Sequence, residues 1–224
     1  MILHRKPVLT TIFLDNDGVL VDTEKYYFEA SRQVCDRHGY DLTRAEYQKF
    51  FLASGSGMRE VGKGLGWTDD KVACVRAERD KCYEGLRRSR EIALPGVAEG
   101  LERLSVRFDL CIVTSSPRPF FDIIHRRTGF TRFFKRVVSE EQVKKHKPDP
   151  DPYLIAMAAM NARPENGLAV EDSERGLRSA AGAGLRCIVV PRELTSDQDF
   201  SRATGVAESF LEAVGMIETM NDKE

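Results

Sequence analysis

Long apolar runs are missing from this chain. No stretch approaches the ~18 consecutive apolar residues of a membrane span, which excludes a helical membrane protein. An excess of either charge is missing too. Lys and Arg number 34 against 35 Asp and Glu, a formal charge of −1, so a dedicated nucleic-acid binder is not expected. Cysteine is sparse: Cys35, Cys74, Cys82, Cys111 and Cys187 are odd in number, and no two stand in C-x-x-C spacing. That argues against a disulfide framework or a zinc cage and makes a reducing cytoplasm the expected compartment. None of them lies beside a sequence-local helper group, so all are read as inert thiols. The N-terminal stretch has a charged start at His4-Arg5-Lys6 but no small-residue cleavage site. It runs through Val8–Leu14 into Asp15-Asn16-Asp17, a poor fit to a secretory signal. No internal repeat or low-complexity segment is present.

What is there is ordinary globular composition: 42% hydrophobic and 31% charged residues over a length of 224, enough for one or two domains with a core that needs no staples. Five short apolar runs, 8–14, 109–114, 136–138, 168–171 and 186–190, are continuous and not alternating. Continuous runs suit strands buried on both faces of a parallel sheet. Helical patterns lie between them: 97–105 presents Val97, Leu101 and Leu104; 119–128 presents Phe120, Ile123 and Ile124; 152–160 presents Leu154, Ile155 and Ala158; 173–183 is rich in small residues. Alternating strands and helices indicate an open α/β fold.

One stretch breaks the rhythm. From about Thr23 to Ala93 only helical segments are read. The first is 24–38 with Gly39 at its end. A second is capped by Thr43 with Glu46 three residues on. The third lies near 58–65, after the Gly-rich 54–57. The last is a long helix from Thr68 or Asp69 to Arg90, whose Arg87, Arg88 and Arg90 suit a solvated helix C-terminus. This is an all-helical insertion after the first strand.

Chemistry-bearing residues fall at the strand ends, where open α/β sheets bind ligands. Asp15 and Asp17 follow the first strand at i and i+2, which aims two carboxylates the same way. Two such charges ~4 Å apart repel by roughly 4 kcal/mol at an effective dielectric of 20. A proton or a hard cation must offset that, with Mg²⁺ favoured by oxygen donors; otherwise the segment is a solvated Asp-rich turn. Thr114-Ser115-Ser116 ends the second strand and suits either a phosphate oxygen or an ST-turn. Lys147 opens the stiff Lys147-Pro148-Asp149-Pro150-Asp151-Pro152 and suits a phosphate or the solvent. Glu171 and Asp172 end the fourth strand and need a counterion if buried, and either Asp172 or Ser173 suits the cap of the next helix.

Taken together, these residues resemble the motifs of the haloacid dehalogenase-like superfamily, in its helical-cap branch of phosphatases and β-phosphoglucomutase-like enzymes. The resemblance covers nearly the whole chain. It rests on D-x-D-G at Asp15–Gly18, extended by Val19-Leu20-Val21-Asp22-Thr23-Glu24, on Thr114, on K-P-x-P-D at Lys147–Asp151, and on E-D-S-x-x-G at Glu171–Gly176. It implies an α/β fold: a Rossmann-like parallel-sheet core of residues 1–22 and 94–224 with an inserted all-helical cap of residues 23–93. It further implies a cytoplasmic, Mg²⁺-dependent phosphatase acting on a small phosphorylated metabolite, as a monomer or weak homodimer with no nucleic-acid or membrane partner. Asp15 would be the nucleophile and Asp17 the general acid, then base. Thr114 and the Ser115 backbone N–H would bind the phosphoryl group, and Lys147 would neutralise it. The metal would be held by Asp15, Asp172 and the Asp17 backbone oxygen, with Glu171 beside it. Asp17 argues against a dehalogenase, which lacks the second aspartate, and Lys63 is the candidate for a phosphonatase-type Schiff base. A phosphomutase remains the alternative. Arg59 would then hold a second phosphate, although Tyr27 stands where mutases carry a histidine. A phospho-receiver or a binding protein is the remote alternative, disfavoured by the order of the acidic residues and by the helical insertion.

Overall fold

The computed structural model describes residues 8–89 and 91–222; the charged stretch Met1–Pro7 and Arg90 lie outside the described residues. The chain divides into two compact units, Met1–Val21 with Ala93–Glu224, and Asp22–Ile92. These divisions fall one residue before those suggested by the sequence.

The first unit is built on a parallel sheet. Its strands are β1 (Thr11–Leu14), β2 (Asp109–Val113), β3 (Phe134–Val138), β4 (Gly167–Glu171), β5 (Arg186–Val189) and a two-residue β6 (Gly205–Val206), in the order β3-β2-β1-β4-β5-β6. Every described pairing is parallel. All four residues of β1 and all five of β4 are buried, the reason these strands read as continuous apolar runs. Helices α5 (Val97–Arg107), α6 (Arg118–Thr128), α7 (Asp151–Met160), α8 (Glu174–Gly182) and α9 (Phe210–Asp222) complete the unit. One core cluster joins Phe13, Cys111, Val113 and Ala169 of the sheet to Tyr153, Ala156 and Met157 of α7 and Leu177 and Ala180 of α8.

The topology places a ligand site. The chain runs from β1 outward to β2 and β3, then returns to place β4 on the other side of β1. At such a switch the two connections leave in opposite directions and open a crevice at the carboxyl ends of the strands. Leu14 pairs with Val170, so Asp15, Glu171 and Asp172 come next on adjacent strands at that crevice.

The structure corrects several expectations. β6 and α9 are absent from the reading of the sequence; two residues are too few to give a periodic signal. On α6 the buried residues are Phe121, Ile124 and His125, and Phe120 is exposed. On α7 they are Pro152, Tyr153, Ala156 and Met157, with Leu154 exposed. Both faces are turned from the expected ones, which share only Ile124 on α6 and the partly buried Ile155 on α7. These helices carry apolar side chains on more than one side, so spacing alone leaves the phase open and the sheet sets it.

The second unit contains helices α1 (Glu24–Arg37), α2 (Arg44–Tyr47) continued by a wider turn over Gln48–Ala53, α3 (Met58–Gly64) and α4 (Asp69–Ser89). α2 starts with the expected capping box: Thr43 Oγ1 accepts from Glu46 N at 3.2 Å, and Glu46 Oε2 accepts from Thr43 N at 3.0 Å. Thr68 caps α4 by accepting from Lys71 N. Arg87 departs from the solvated reading: it is buried, its guanidinium 4.5 Å from the centre of the Tyr83 ring. Among the described residues no helix is long and apolar enough to cross a membrane.

Candidate active site

Lys147 organises the site. Its side chain is buried, and its ammonium donates to Asp15 Oδ1 at 2.7 Å, Glu171 Oε1 at 2.7 Å and Val113 O at 2.9 Å. An ammonium has three protons, and three acceptors receive them. Burial alone would lower the Lys147 pKa. The carboxylates of Asp15 and Glu171 outweigh that and hold it above the usual lysine range. The lysine is therefore a fixed positive charge. Burial acts the other way on Asp15, pushing its carboxyl up to about 7 against the pull of Lys147, with Glu171 and Asp17 adding to the rise.

Glu171 is fully buried. Its Oε1 also accepts from the Tyr153 hydroxyl, supplied by the inner face of α7. Its Oε2 is buried and makes no hydrogen bond. Asp172 completes the group: Asp15, Glu171 and Asp172 each offer an oxygen, all within 4.8 Å of one another. Ser173, not Asp172, caps α8, accepting from Gly176 N at 3.2 Å. Two glycines make room for these carboxylates. A Cβ on Gly18 would overlap the Asp172 carboxylate, and one on Gly176 would overlap that of Glu171. Gly18 also has φ +86°, a backbone conformation that glycine adopts without strain.

Asp17 faces different partners. Its Oδ2 accepts from Ser116 Oγ at 2.8 Å, Asn16 Nδ2 at 3.2 Å and Thr114 Oγ1 at 3.4 Å. Thr114 is buried at the end of β2, and its Oγ1 accepts from Ser116 N at 3.0 Å. The ST-turn is thus present, and it is what brings Ser116 to Asp17.

Three carboxyl groups (Asp15, Glu171, Asp172) face one ammonium (Lys147), an excess of negative charge even with Asp15 pushed up to about 7. Such buried charge demands a counterion. The donor set is all oxygen, and Glu171 Oε2 is a buried acceptor with no partner. The cluster therefore fits a hard divalent cation, with Asp15 and Asp172 as its candidate side-chain ligands.

The structure brings together Asp15, Asp17, Thr114, Lys147, Glu171 and Asp172, with Ser115 half-buried on the same loop. Arg59 belongs to the helical unit, where it is exposed at the start of α3. Lys63 is exposed there and donates to Glu60. Ser116, Asn16 and Tyr153 were not read as site residues. Tyr153 was hidden by the turned face of α7. Ser116 and Asn16 stood inside the quoted motifs, but the partners that give them a role, Asp17 for Ser116 and His125 for Asn16, lie about a hundred residues away in the chain.

Proteins of known name and structure resemble the chain over most of its length. The chain is 29% identical to protein CbbY of Cereibacter sphaeroides over 223 residues, covering 93% of this chain and 96% of that protein. It is 31% identical to the phosphorylated carbohydrates phosphatase of Thermotoga maritima over 185 residues, covering 80% of this chain and 84% of that protein. A crystal structure of a mutant CbbY from Rhodobacter sphaeroides in complex with xylulose-(1,5)bisphosphate superposes with a TM-score of 0.78 at 27% identity, covering 91% of this chain and 96% of that one. The family model for haloacid dehalogenase-like hydrolases matches residues 12–190, a span that holds every motif of the site, and the chain belongs to that family.

Proposed function

We propose that this protein is a cytoplasmic, Mg²⁺-dependent phosphatase that hydrolyses a small phosphorylated sugar through a phosphorylated Asp15. The observation that carries the reading is the Lys147 ammonium bonded to both Asp15 and Glu171 at the sheet's switch point, beside an Asp17 held by separate donors. Two aspartates with different partners can take different roles. The relatives named above as a carbohydrate phosphatase and as a protein in complex with a sugar bisphosphate support the substrate class.

Asp15 attacks phosphorus with a carboxylate oxygen. The bond from phosphorus to the sugar oxygen breaks, and that oxygen takes the proton carried by Asp17. A water then attacks the aspartyl phosphate and gives its proton to Asp17. Inorganic phosphate leaves, and both aspartates return to their starting states. Lys147 balances charge on Asp15 and on the phosphoryl oxygens throughout; for phosphoryl transfer such fixed charge and positioning supply most of the catalysis. Thr114 and the Ser115 backbone N–H orient the phosphoryl group. Asp15, Asp172 and the Asp17 backbone oxygen would hold Mg²⁺, which would supply further charge stabilisation when bound. Substrate selection is assigned to the helical unit, with Arg59 as its candidate residue.

The test is phosphate release from a panel of sugar mono- and bisphosphates, phosphoglycolate and nucleotides, with Mg²⁺ and with EDTA, for wild type and Asp15→Asn. Turnover lost with EDTA and in Asp15→Asn is expected. Glucose 6-phosphate formed from β-glucose 1-phosphate without phosphate release would replace the phosphatase by a mutase. No turnover of any ester would end the enzymatic reading.

A further inference from the structure

His125 is buried in α6, yet none of the steps above uses it. It is 1% exposed and lies between the rings of Phe121 and Phe130, at centroid distances of 4.2 and 6.1 Å. Burial pushes its imidazole down to about 4, so the ring is neutral near pH 7 and carries one proton.

The hydrogen bonds say where that proton sits. Asn16 Nδ2 lies 3.2 Å from Asp17 Oδ2. A carboxylate needs a donor there, so the amide nitrogen faces Asp17 and the amide oxygen faces away. That oxygen is 2.7 Å from His125 Nε2. It can only accept, so Nε2 carries the proton. His125 Nδ1 is then the acceptor, 2.9 Å from Thr128 Oγ1, and Thr128 Oγ1 in turn accepts from Phe130 N. Every donor in the series points the same way: Thr128 to His125, His125 to Asn16, Asn16 to Asp17. Bonds aligned head to tail polarise and strengthen one another. Asn16 is fully buried, so without His125 its amide oxygen would be an unpaired buried acceptor, and the amide would be held only by its bond to Asp17.

We propose that His125, acting through Asn16, is a positioning residue for Asp17 that holds the carboxyl group where it can protonate the leaving oxygen. The proposal rests on the reading of Asp17 as the general acid. It assigns a role to the residue between the two aspartates and ties the catalytic turn after β1 to the far end of α6, 109 residues away in the chain.

A positioning role for the acid has a signature that general destabilisation lacks. A sugar alkoxide needs a proton to leave, whereas p-nitrophenolate leaves without one. The ratio kcat/KM reports only events up to departure of the leaving group, so the later role of Asp17 as a base does not enter. The experiment measures kcat/KM for p-nitrophenyl phosphate and for the best sugar phosphate of the panel, in wild type, His125→Leu, Asn16→Leu, the double variant and His125→Gln. In both leucine variants the sugar phosphate is expected to lose about 10–100-fold, a part of what a general acid supplies, and the aryl ester less than about threefold. The double variant is expected to lose no more than either single one. His125→Gln keeps a side-chain donor and should recover most of the loss; being a polar, smaller change, it also keeps the test open should His125→Leu fail to fold. Equal losses on both esters, or an unchanged sugar phosphate rate, would overturn the positioning role while leaving the phosphatase intact. A wild type that turns over neither ester would instead overturn the phosphatase reading, and this proposal with it.

Discussion

Replacing Lys147 with methionine keeps the aliphatic stem and removes the ammonium that Asp15 and Glu171 share at 2.7 Å each. All three groups are buried. Removing one partner of a buried ion pair typically costs about 3–5 kcal/mol, because the remaining charge stays buried without compensation. The lost donor to Val113 O adds about 1 kcal/mol. Proton uptake at Asp15, whose carboxyl burial already pushes up to about 7, returns part of this, so a net loss of roughly 3–4 kcal/mol is expected in EDTA. That is a large share of the about 5–15 kcal/mol that holds a typical domain together. Mg²⁺ should raise the absolute stability of wild type and variant alike, by about 2.7 kcal/mol at a hundred times the dissociation constant, so the difference between them persists. Turnover with Mg²⁺ should stay reduced about 10²–10³-fold, the usual effect of removing one preorganised charge from a transition state. Urea denaturation of wild type, Lys147→Met and Lys63→Met, each with EDTA and with excess Mg²⁺, checks the reasoning. Lys63 is the control: it also lies 2.7 Å from a carboxylate, that of Glu60, but it is exposed, and its loss should stay within about 1 kcal/mol. If Lys147→Met proves as stable as Lys63→Met in EDTA, the ammonium is not what compensates the buried carboxylates.

Two further outcomes follow from the same structure. In Gly176→Ala the new methyl group would meet the clamped Glu171 carboxylate, so overpacking of about 1–3 kcal/mol outweighs the helical gain of alanine and turnover falls. Gly215→Ala in α9, where a Cβ meets nothing within 4 Å, should instead be neutral or stabilising, and thermal melts of the two variants decide the point. For His125, burial pushes the native imidazole down to about 4 from the ordinary value near 6.5 that it has in the unfolded chain. Between those values the unfolded chain binds more protons, so stability falls as the pH drops. About 2 kcal/mol should be lost by pH 5 and about 3 kcal/mol by pH 4. Urea midpoints of wild type and His125→Gln at neutral pH and near pH 5 would contradict a buried neutral histidine if their pH dependence were the same.

The strand ends were legible in the sequence for a physical reason. Strands buried on both faces must be continuous apolar runs, so the polar residues that close each run (Asp15, Thr114, Glu171) stand out without any knowledge of the sheet. Spacing carried equally local facts: the i, i+2 aspartates, and the capping box of Thr43 and Glu46, whose partners are three residues apart. Where a residue type suits several local or distant partners, it kept two readings. Asp172 and Ser173 were both candidate caps until Ser173 was found on Gly176, which leaves Asp172 to the acidic cluster. Thr114 proved to be both an ST-turn and a neighbour of Asp17.

The amino-acid sequence alone therefore determined the alternation of strands and helices as far as β5, the helical insertion and the places where chemistry could occur, because each depends on neighbours a few residues apart. Only the tertiary structure decided which faces of α6 and α7 turn inward, since both helices are apolar on more than one side and the sheet chooses between them. That choice delivers Tyr153 to Glu171 and His125 to Asn16. It likewise takes the packed sheet to bring Lys147 onto Asp15 from 132 residues away and onto Glu171 from 24. Contacts of that range follow from strand order and burial, and no local pattern encodes them.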